Sequence, residues 1–492
     1  MFDKKLLKTK KVSEKEFEFD VFKNQQNQDD DPTLISPGQA RESYNLISED
    51  GSLQSGYGFS SLSMPANETD LDREEPFIVR GDEILFLWKM KWYDASRDSN
   101  RHYLFFYNSQ NEVCFDNIFG LRSEVPFVIQ TEFSSLPFIT NYRSDGEDTI
   151  LLSAKEGVLK QIFSGADVQT GQSEAIISCC NHYGKLFAIT AAARGKLVYS
   201  SDDIFSWKDN GTKDLDFSDE RGDLNKIISF NDYVYLFRDF GITKLSEYGE
   251  ENEFSISHIY KASAFIRPNT IVEIGDSVYF VEGEKLKKFN GVSVKDVPIS
   301  AMKLLQGQDN RYATAECFDG KYFLACNAKF DDEKIVACEE ENFNNNALFV
   351  YDIEKQHLDI VRGVDIRQLL ALSNGLKSKL IACFYNQNKN MIGQLTKDGI
   401  VFNQSLANLW KSGQLDFGVL GKRKTIKTFQ INSQKDCSIR FASDEGEKVC
   451  SVKGGEKLQQ VIVNLSGKSF EIEISSEKEI GKVTNFVLTV MM

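Results

Sequence analysis

Five carboxylates, Asp214, Asp216, Asp219, Glu220 and Asp223, fall within the single stretch KDLDFSDERGDL. Hard cations take several oxygen ligands at once, so such a run could hold calcium. A solvated loop between strands has the same composition and is the preferred reading, as it is for the run Asp29–Asp31. The triplet DFG at Asp239–Gly241 is a second candidate, because in protein kinases it carries a magnesium ligand. That chemistry needs a glycine-rich phosphate loop, a strand lysine and a His-Arg-Asp loop. None is present, and none of His102, His182, His258 and His357 precedes Arg-Asp. P-loop, HExxH, GxSxG and CxxC motifs are absent as well. The nine cysteines are scattered, with Cys179 and Cys180 adjacent, and buried reduced thiols are expected. No catalytic, cofactor-binding or metal residue is assigned, and the chain is expected to be non-enzymatic with no cofactor.

The DFG letters make better sense as β-structure. In IISFNDYVYLFRDFGITKLSEYG, Ile228 and Phe230 alternate before Asn231-Asp232, and Val234 and Leu236 alternate after it. Alternation around short turns is the pattern of an antiparallel meander, with Asp239–Gly241 as its next turn. Related stretches are ISCCNHYGKLFAI, IVEIGDSVYFV and AECFDGKYFLA, whose turn positions Gly184, Asp232, Asp276 and Gly320 are spaced by 48, 44 and 44 residues. Weaker copies have turns at Gly81-Asp82, Asp145-Gly146 and Asn374-Gly375. Four strands in about 40–50 residues is the sequence form of a β-propeller blade. Six to eight blades are expected over residues 71–405, with seven as the central value; a long array of sandwiches is the alternative. Gly184, Gly241 and Gly320 are expected in tight turns.

From residue 406 the pattern changes to six closely spaced alternating runs, KTIKTFQI, CSIRFAS, KVCSV, LQQVIVNL, KSFEIEI and VTNFVLTV. They predict a small antiparallel sandwich over 406–492, with Phe470, Ile472 and Ile474 on one face and Phe486, Leu488 and Val490 on another. Residues 1–70 read as an arm and linker with too few apolar anchors, Leu34, Ile35, Tyr44, Leu46 and Ile47, to build a core. The arm is expected to pack on the sandwich or on a neighbouring subunit.

A length of 492 residues is too great for one ordinary core. No stretch approaches the roughly 20 apolar residues of a membrane span, and no apolar segment follows the N-terminal lysines, so neither membrane nor secretory signal is expected. The net charge is −15, and the 13 Lys/Arg against 10 Asp/Glu from Leu406 onward leave −18 on residues 1–405. Such a surface argues against avid nucleic-acid binding. The one compact basic run, Lys422–Lys424 with Lys427, reads as a solvated strand end or subunit contact in preference to a DNA stop.

SSDDIFSW, residues 200–207, resembles the Asp-box hairpin of sialidase-type propellers at Ser200, Asp202, Ser206 and Trp207, with Ile204 where glycine is usual. In that family the box packs tryptophan on a blade and is not catalytic. More of the chain resembles propeller-bearing tail proteins of tailed bacteriophages and prophages, the nozzle, tail-hub or packaged-DNA stabilisation type. The arm SPGQARESYNLISEDGSLQSGYGF looks like that family's opening, with Asn45, Gly51 and Gly58 at recurring positions. KLVYSSDDIFSW resembles a blade edge, and YVYLFRDFGITKLSEYG with DSVYFVEGEKLKKFNG resembles two central blades. LWKSGQLDFGVLGKRKTIKTFQI and SGKSFEIEI to VTNFVLTV look like the crossover into a C-terminal sandwich.

The resemblance implies a structural virion protein, assembled in the host cytoplasm, that forms a homo-oligomeric ring around the DNA exit channel. A hexamer is favoured, at the head-to-tail junction or tail nozzle, in contact with other tail or connector proteins and passing double-stranded DNA without gripping it. The alternative function is a carbohydrate-binding or sialidase-like propeller acting as a host-range factor. A cellular scaffold propeller ranks last, since WD and kelch signatures are absent.

Overall fold

The computed structural model describes residues 14–18, 22, 30–35, 39–49, 51–65, 74–77, 79, 83–94, 99–119, 127–130, 138–144, 147–155, 158–162, 167–169, 176–191, 193–200, 204, 213–247, 254–299, 301–330, 342–385, 392–455 and 457–492. Among these the fold is all-β, with short 3-10 turns and no α-helix. Six four-stranded antiparallel sheets follow one another along the chain, each in simple meander order. Their innermost strands are Ile84–Asp94, Phe138–Ser144, Ile176–His182, Leu224–Phe230, Val272–Ile274 and Thr314–Phe318. A seventh sheet starts with Ile366–Ser373, Ser378–Phe384 and Ile392–Thr396 and takes its fourth strand, Gly58–Ser61, from the N-terminal region. The inner strand of this last sheet lies beside that of the first, so the series closes on itself as a β-propeller does.

The repeated turns fall where alternation placed them, between first and second strands. Tyr183-Gly184, Asn231-Asp232 and Asp319-Gly320 all have positive φ at both residues, the geometry whose twist matches the flanking strands. Asp145-Gly146 lies outside the described residues, but Ser144 pairs with Glu147 around it. Gly81-Asp82 also lies outside them and precedes the first sheet's inner strand. The first strand there pairs with the second from Asp94 and Ser99 back to Ile84 and Asn108, because the apolar run after Gly81 is a first strand, not a second.

Gly241 departs from expectation. It begins the strand Gly241–Glu247 and is not among the positive-φ residues. A Cβ there would lie 2.6 Å from the Tyr260 carbonyl oxygen, so glycine is needed for close strand approach and not for a turn.

The C-terminal runs all form strands, in two sheets that share one core. One sheet runs Leu46–Glu49, Ser52–Ser55, Lys482–Met491, Lys424–Ser433, Gln459–Gly467, with Glu14–Glu18 along Lys482–Met491. The other runs Ala40–Tyr44, Asn408–Ser412, Phe470–Ser476, Cys437–Ser443, Gly446–Val452. Phe470, Ile472, Ile474, Phe486, Leu488 and Val490 are all buried in that core. Alternation sends Glu471 and Glu473 to the opposite face, where they meet Arg440 at 3.6 and 3.2 Å.

The arm, expected to pack on the sandwich or on a neighbouring subunit, joins the C-terminal module as strands of its sheets. Its strands are built into both sheets of the C-terminal module and into the propeller, because short strands can bury their apolar faces only by joining existing sheets. Leu46 enters the C-terminal core, while Tyr44 and Ile47 enter two different propeller cores. Ile35 is buried, but Leu34 is 74% exposed and anchors nothing.

Candidate functional site

The inner strands of four sheets carry the same irregularity near their starts. Register shifts lie between Ile84 and Phe86, Ile176 and Ser178, Leu224 and Lys226, and Ile366 and Gln368. A bulge re-aims the side chain that follows it. In three of these strands that side chain reaches the backbone of the next sheet. Ser178 Oγ accepts the Ile227 N–H at 3.2 Å, and Lys226 Nζ donates to Ile271 O at 2.7 Å. Gln368 accepts from Leu87 N and donates to Leu87 O, both at 2.8 Å. The sheets are thus joined along the axis by polar staples.

Charged groups from different sheets also meet at the axis. Lys89 of the first sheet contacts Glu316 of the sixth at 3.0 Å, and Glu316 accepts the Ala371 N–H of the intervening seventh at 3.2 Å. Lys226 is partly exposed and Glu273 exposed, yet neighbouring protein desolvates both. Burial pushes the Lys226 ammonium down to about 8, opposed by Glu316 and Glu273. Burial raises the Glu273 carboxyl, opposed by Lys226. Burial also pushes the Cys179 thiol up to about 12, and raises that of Cys180, with Cys179 and Glu273 adding to the shift. Thiols held protonated are poor nucleophiles. Two ammoniums, Lys89 and Lys226, and two carboxylates, Glu273 and Glu316, therefore compensate one another between the inner strands.

The carboxylate run is taken up locally. Asp214 pairs with Lys196 at 3.0 Å, Asp216 accepts the Ser218 N–H at 2.8 Å, and Glu220 lies 3.9 Å from Lys261. Asp219 pairs at 2.9 Å with Arg238, whose side chain is fully buried. Arg238 also donates to the carbonyls of Gly222, at 2.7 Å, and Phe217. Asp214 and Asp216 lie on the outer strand Lys213–Asp216 of the third sheet, and the crossover after it, with Asp219, folds around Arg238. Among the described residues no group of His, Cys, Asp and Glu is arranged to hold a metal. Asp31 of the other acidic run accepts both N–H and O–H from Thr33 in a local turn.

The histidines stand apart on separate sheets. His182 bonds Ser229, His258 bonds Thr243 and His357 meets Asp359, while His102 packs edge-on against Phe119. Of the Asp-box residues, Asp202, Ser206 and Trp207 lie outside the described residues; Ser200 accepts the Leu186 N–H and Ile204 is buried. Two members of the basic run have local partners. Arg423 is bidentate to Glu445, and buried Lys424 donates to Lys468 O at 2.7 Å. Among the described residues, Cys179, Cys180, Cys317, Cys326, Cys383, Cys437 and Cys450 form no disulfide.

Asn45 forms the junction of all three regions. It sits at φ 61° between a strand of one C-terminal sheet and a strand of the other. Its N–H donates to Ile360 O at 2.8 Å and its Oδ1 accepts the Arg362 N–H at 2.7 Å, both on the outer strand of the sixth propeller sheet. Its Nδ2 donates to Ala407 O at 2.7 Å, in the passage from propeller to C-terminal module. Asparagine suits this position because its short amide tolerates positive φ and bonds in both directions. Sequence reasoning singled out Asn45 only through resemblance, and it missed Lys226, Glu273, Glu316 and Arg238. A polar residue inside an otherwise apolar alternating run was the available signal.

No family model matches the chain, and no curated protein matches it. Among solved structures, the Pan2 WD40 domain of Neurospora crassa is similar at TM-score 0.40 and 9% identity, covering 64% of this chain and 89% of that one. BBS1N in complex with ARL6DN is similar at TM-score 0.42 and 10% identity, covering 69% and 98%. YCF48 from Cyanidioschyzon merolae is similar at TM-score 0.35 and 9% identity, covering 56% and 97%. The architecture described above rests on strand pairing and not on these likenesses. No helix among the described residues is long and apolar enough to cross a membrane.

Proposed function

We propose that this chain is a structural, non-enzymatic virion protein of a phage or prophage tail. In this reading a seven-bladed propeller is closed by Gly58–Ser61, and the C-terminal module is a β-sandwich completed by the arm. Copies form a ring, hexameric in the favoured case, at the head-to-tail junction or tail nozzle, and contact other tail or connector proteins. The observation that carries the reading is the path of residues 40–61. It passes through both C-terminal sheets and then into the propeller, locked at Asn45, in the order of elements that the tail-protein resemblance implies. Such interlacing suits a rigid building block better than a pair of independently moving domains.

The ion-paired axis supports a further detail. Duplex DNA would run through the centre of the ring and not along the axis of any one propeller. A passage wall that neutralised phosphates would hold DNA, since each engaged Lys or Arg adds affinity. The formal −18 on residues 1–405 and the locally paired basic run favour a wall that does not grip. Fluorescence anisotropy with a labelled duplex across a salt series tests this. The expected result is binding weaker than the roughly 10⁻⁴–10⁻⁶ M of ordinary non-specific binders near physiological salt. Sub-micromolar binding with a steep salt slope would contradict it.

A further inference from the structure

One sheet of the C-terminal module ends in two edges of opposite character. Gln459–Gly467 pairs with Lys424–Ser433 on one side, and no described strand pairs with its other side. Its sequence QQVIVNLSG has no charge and no proline, the usual guards of an edge strand. It exposes Ile462 at 66%, and Leu458 just before it at 54%. Gly446–Val452, the end strand of the other sheet, lies beside it and adds exposed Val449. An uncharged edge flanked by exposed aliphatic side chains is a template for an added strand, with backbone bonds supplying affinity. At the opposite end of the same sheet, Glu14–Glu18 pairs with Lys482–Met491, and no described strand takes its far side. Its sequence EKEFE is mostly charged, and Glu14, Lys15 and Glu16 are all exposed, so neither face of that stretch is covered.

Strand direction makes these two edges fit each other. Glu14–Glu18, Lys482–Met491, Lys424–Ser433 and Gln459–Gly467 are antiparallel at every step, so the first and last of the four run in opposite directions. A second copy, rotated about an axis along the strands, therefore presents its Glu14–Glu18 antiparallel to Gln459–Gly467 of the first. The alternation continues through the joint, and such a head-to-tail contact repeats from copy to copy until a ring closes. Charge favours the same choice. Two Glu14–Glu18 edges brought together would set glutamates against glutamates, whereas QQVIVNLSG offers them no like charge. We propose that Gln459–Gly467 of one copy receives Glu14–Glu18 of a second copy as an added strand, and that this joint is the contact repeated around the ring. The assignment rests on the ring reading given above.

Cross-linking between two variants of the full chain tests it. Chains carrying Glu16→Cys are co-produced with chains carrying Ile462→Cys and treated with a short thiol–thiol cross-linker, the unsubstituted chain serving as the control for native cysteines. Linked pairs should form in the mixture and from neither variant alone. Ile462→Lys places a charge on the edge and should convert the particle to single chains in light scattering. Its circular dichroism should stay unchanged, because this side chain is exposed. An intact ring in Ile462→Lys, or a ring whose two variants do not cross-link, would overturn the edge assignment and leave the ring reading standing. Links from Ile462→Cys alone would show two copies of Gln459–Gly467 facing each other, which overturns it as well. Single chains throughout in the unsubstituted protein would overturn both.

Discussion

Replacing Asn45 by alanine removes a side chain that hydrogen-bonds both to the propeller and to the entry to the C-terminal module. The Arg362 N–H loses its 2.7 Å acceptor and Ala407 O its 2.7 Å donor. A buried polar group left without a partner costs about 1–3 kcal/mol. Holding alanine at positive φ adds roughly 1 kcal/mol. The expected loss is about 3–5 kcal/mol, toward the lower end because the Ala407 contact is only partly buried. At roughly 2 °C per kcal/mol for a large chain, the melting temperature should fall by about 6–10 °C in differential scanning calorimetry. Asn45→Gly separates the two contributions: it keeps the backbone relaxed and should recover about 1 kcal/mol relative to alanine. If Asn45→Ala melted with the parent protein, the junction would be incidental. If alanine and glycine behaved alike, the backbone part of the reasoning would be wrong.

Arg238→Met should cost about 3 kcal/mol in urea denaturation, because it strands the Gly222 and Phe217 carbonyls and Asp219; Asp219→Asn should cost less, since Asp219 is 29% exposed. Equal losses for the two variants would contradict the placement of Arg238. Burial raises the Asp365 carboxyl to about 6 while it accepts the Asn344 and Asn345 amides, with Arg367 opposing the shift. The folded state therefore binds the proton more tightly than the unfolded one. The stability from this group is fully present below the unfolded pKa of 3.8 and lost as pH rises through about 6. Asp365→Asn keeps an acceptor and should flatten that part of the stability-versus-pH curve; an unchanged slope between pH 4 and 6 would refute it. Deleting residues 1–60 should unfold both regions, since it removes strands from both C-terminal sheets and most of the propeller's Gly58–Ser61. A truncated chain with native circular dichroism and melting would show that those strands are dispensable.

The parts legible in the sequence were those whose physics is local. Asn231-Asp232 and Asp319-Gly320 announce their turns because few residue types accept positive φ. Phe470, Ile472 and Ile474 announce a buried face because strand side chains alternate. What stayed hidden depends on partners distant in sequence. Gln54 pairs with Lys482, and Gly58–Ser61 with Gly393–Thr396, and nothing in the arm names those strands. Arg238, next to Asp239 at a strand end, reads as surface charge, yet its crossover loop wraps it completely. Lys226 and Glu316 read as the solvent face of their strands. They do meet solvent, but beside facing groups that come from other sheets.

The central claim, that this is a ring-forming tail protein, is most directly tested by the mass and shape of the assembled particle. The purified full chain should be run through size-exclusion chromatography with multi-angle light scattering, alone and with virion partners, and the peak imaged by negative stain. The account predicts a closed ring, six copies in the favoured case, with a central opening wide enough for duplex DNA. A strict monomer under every condition, never entering a ring even with virion partners present, would contradict it.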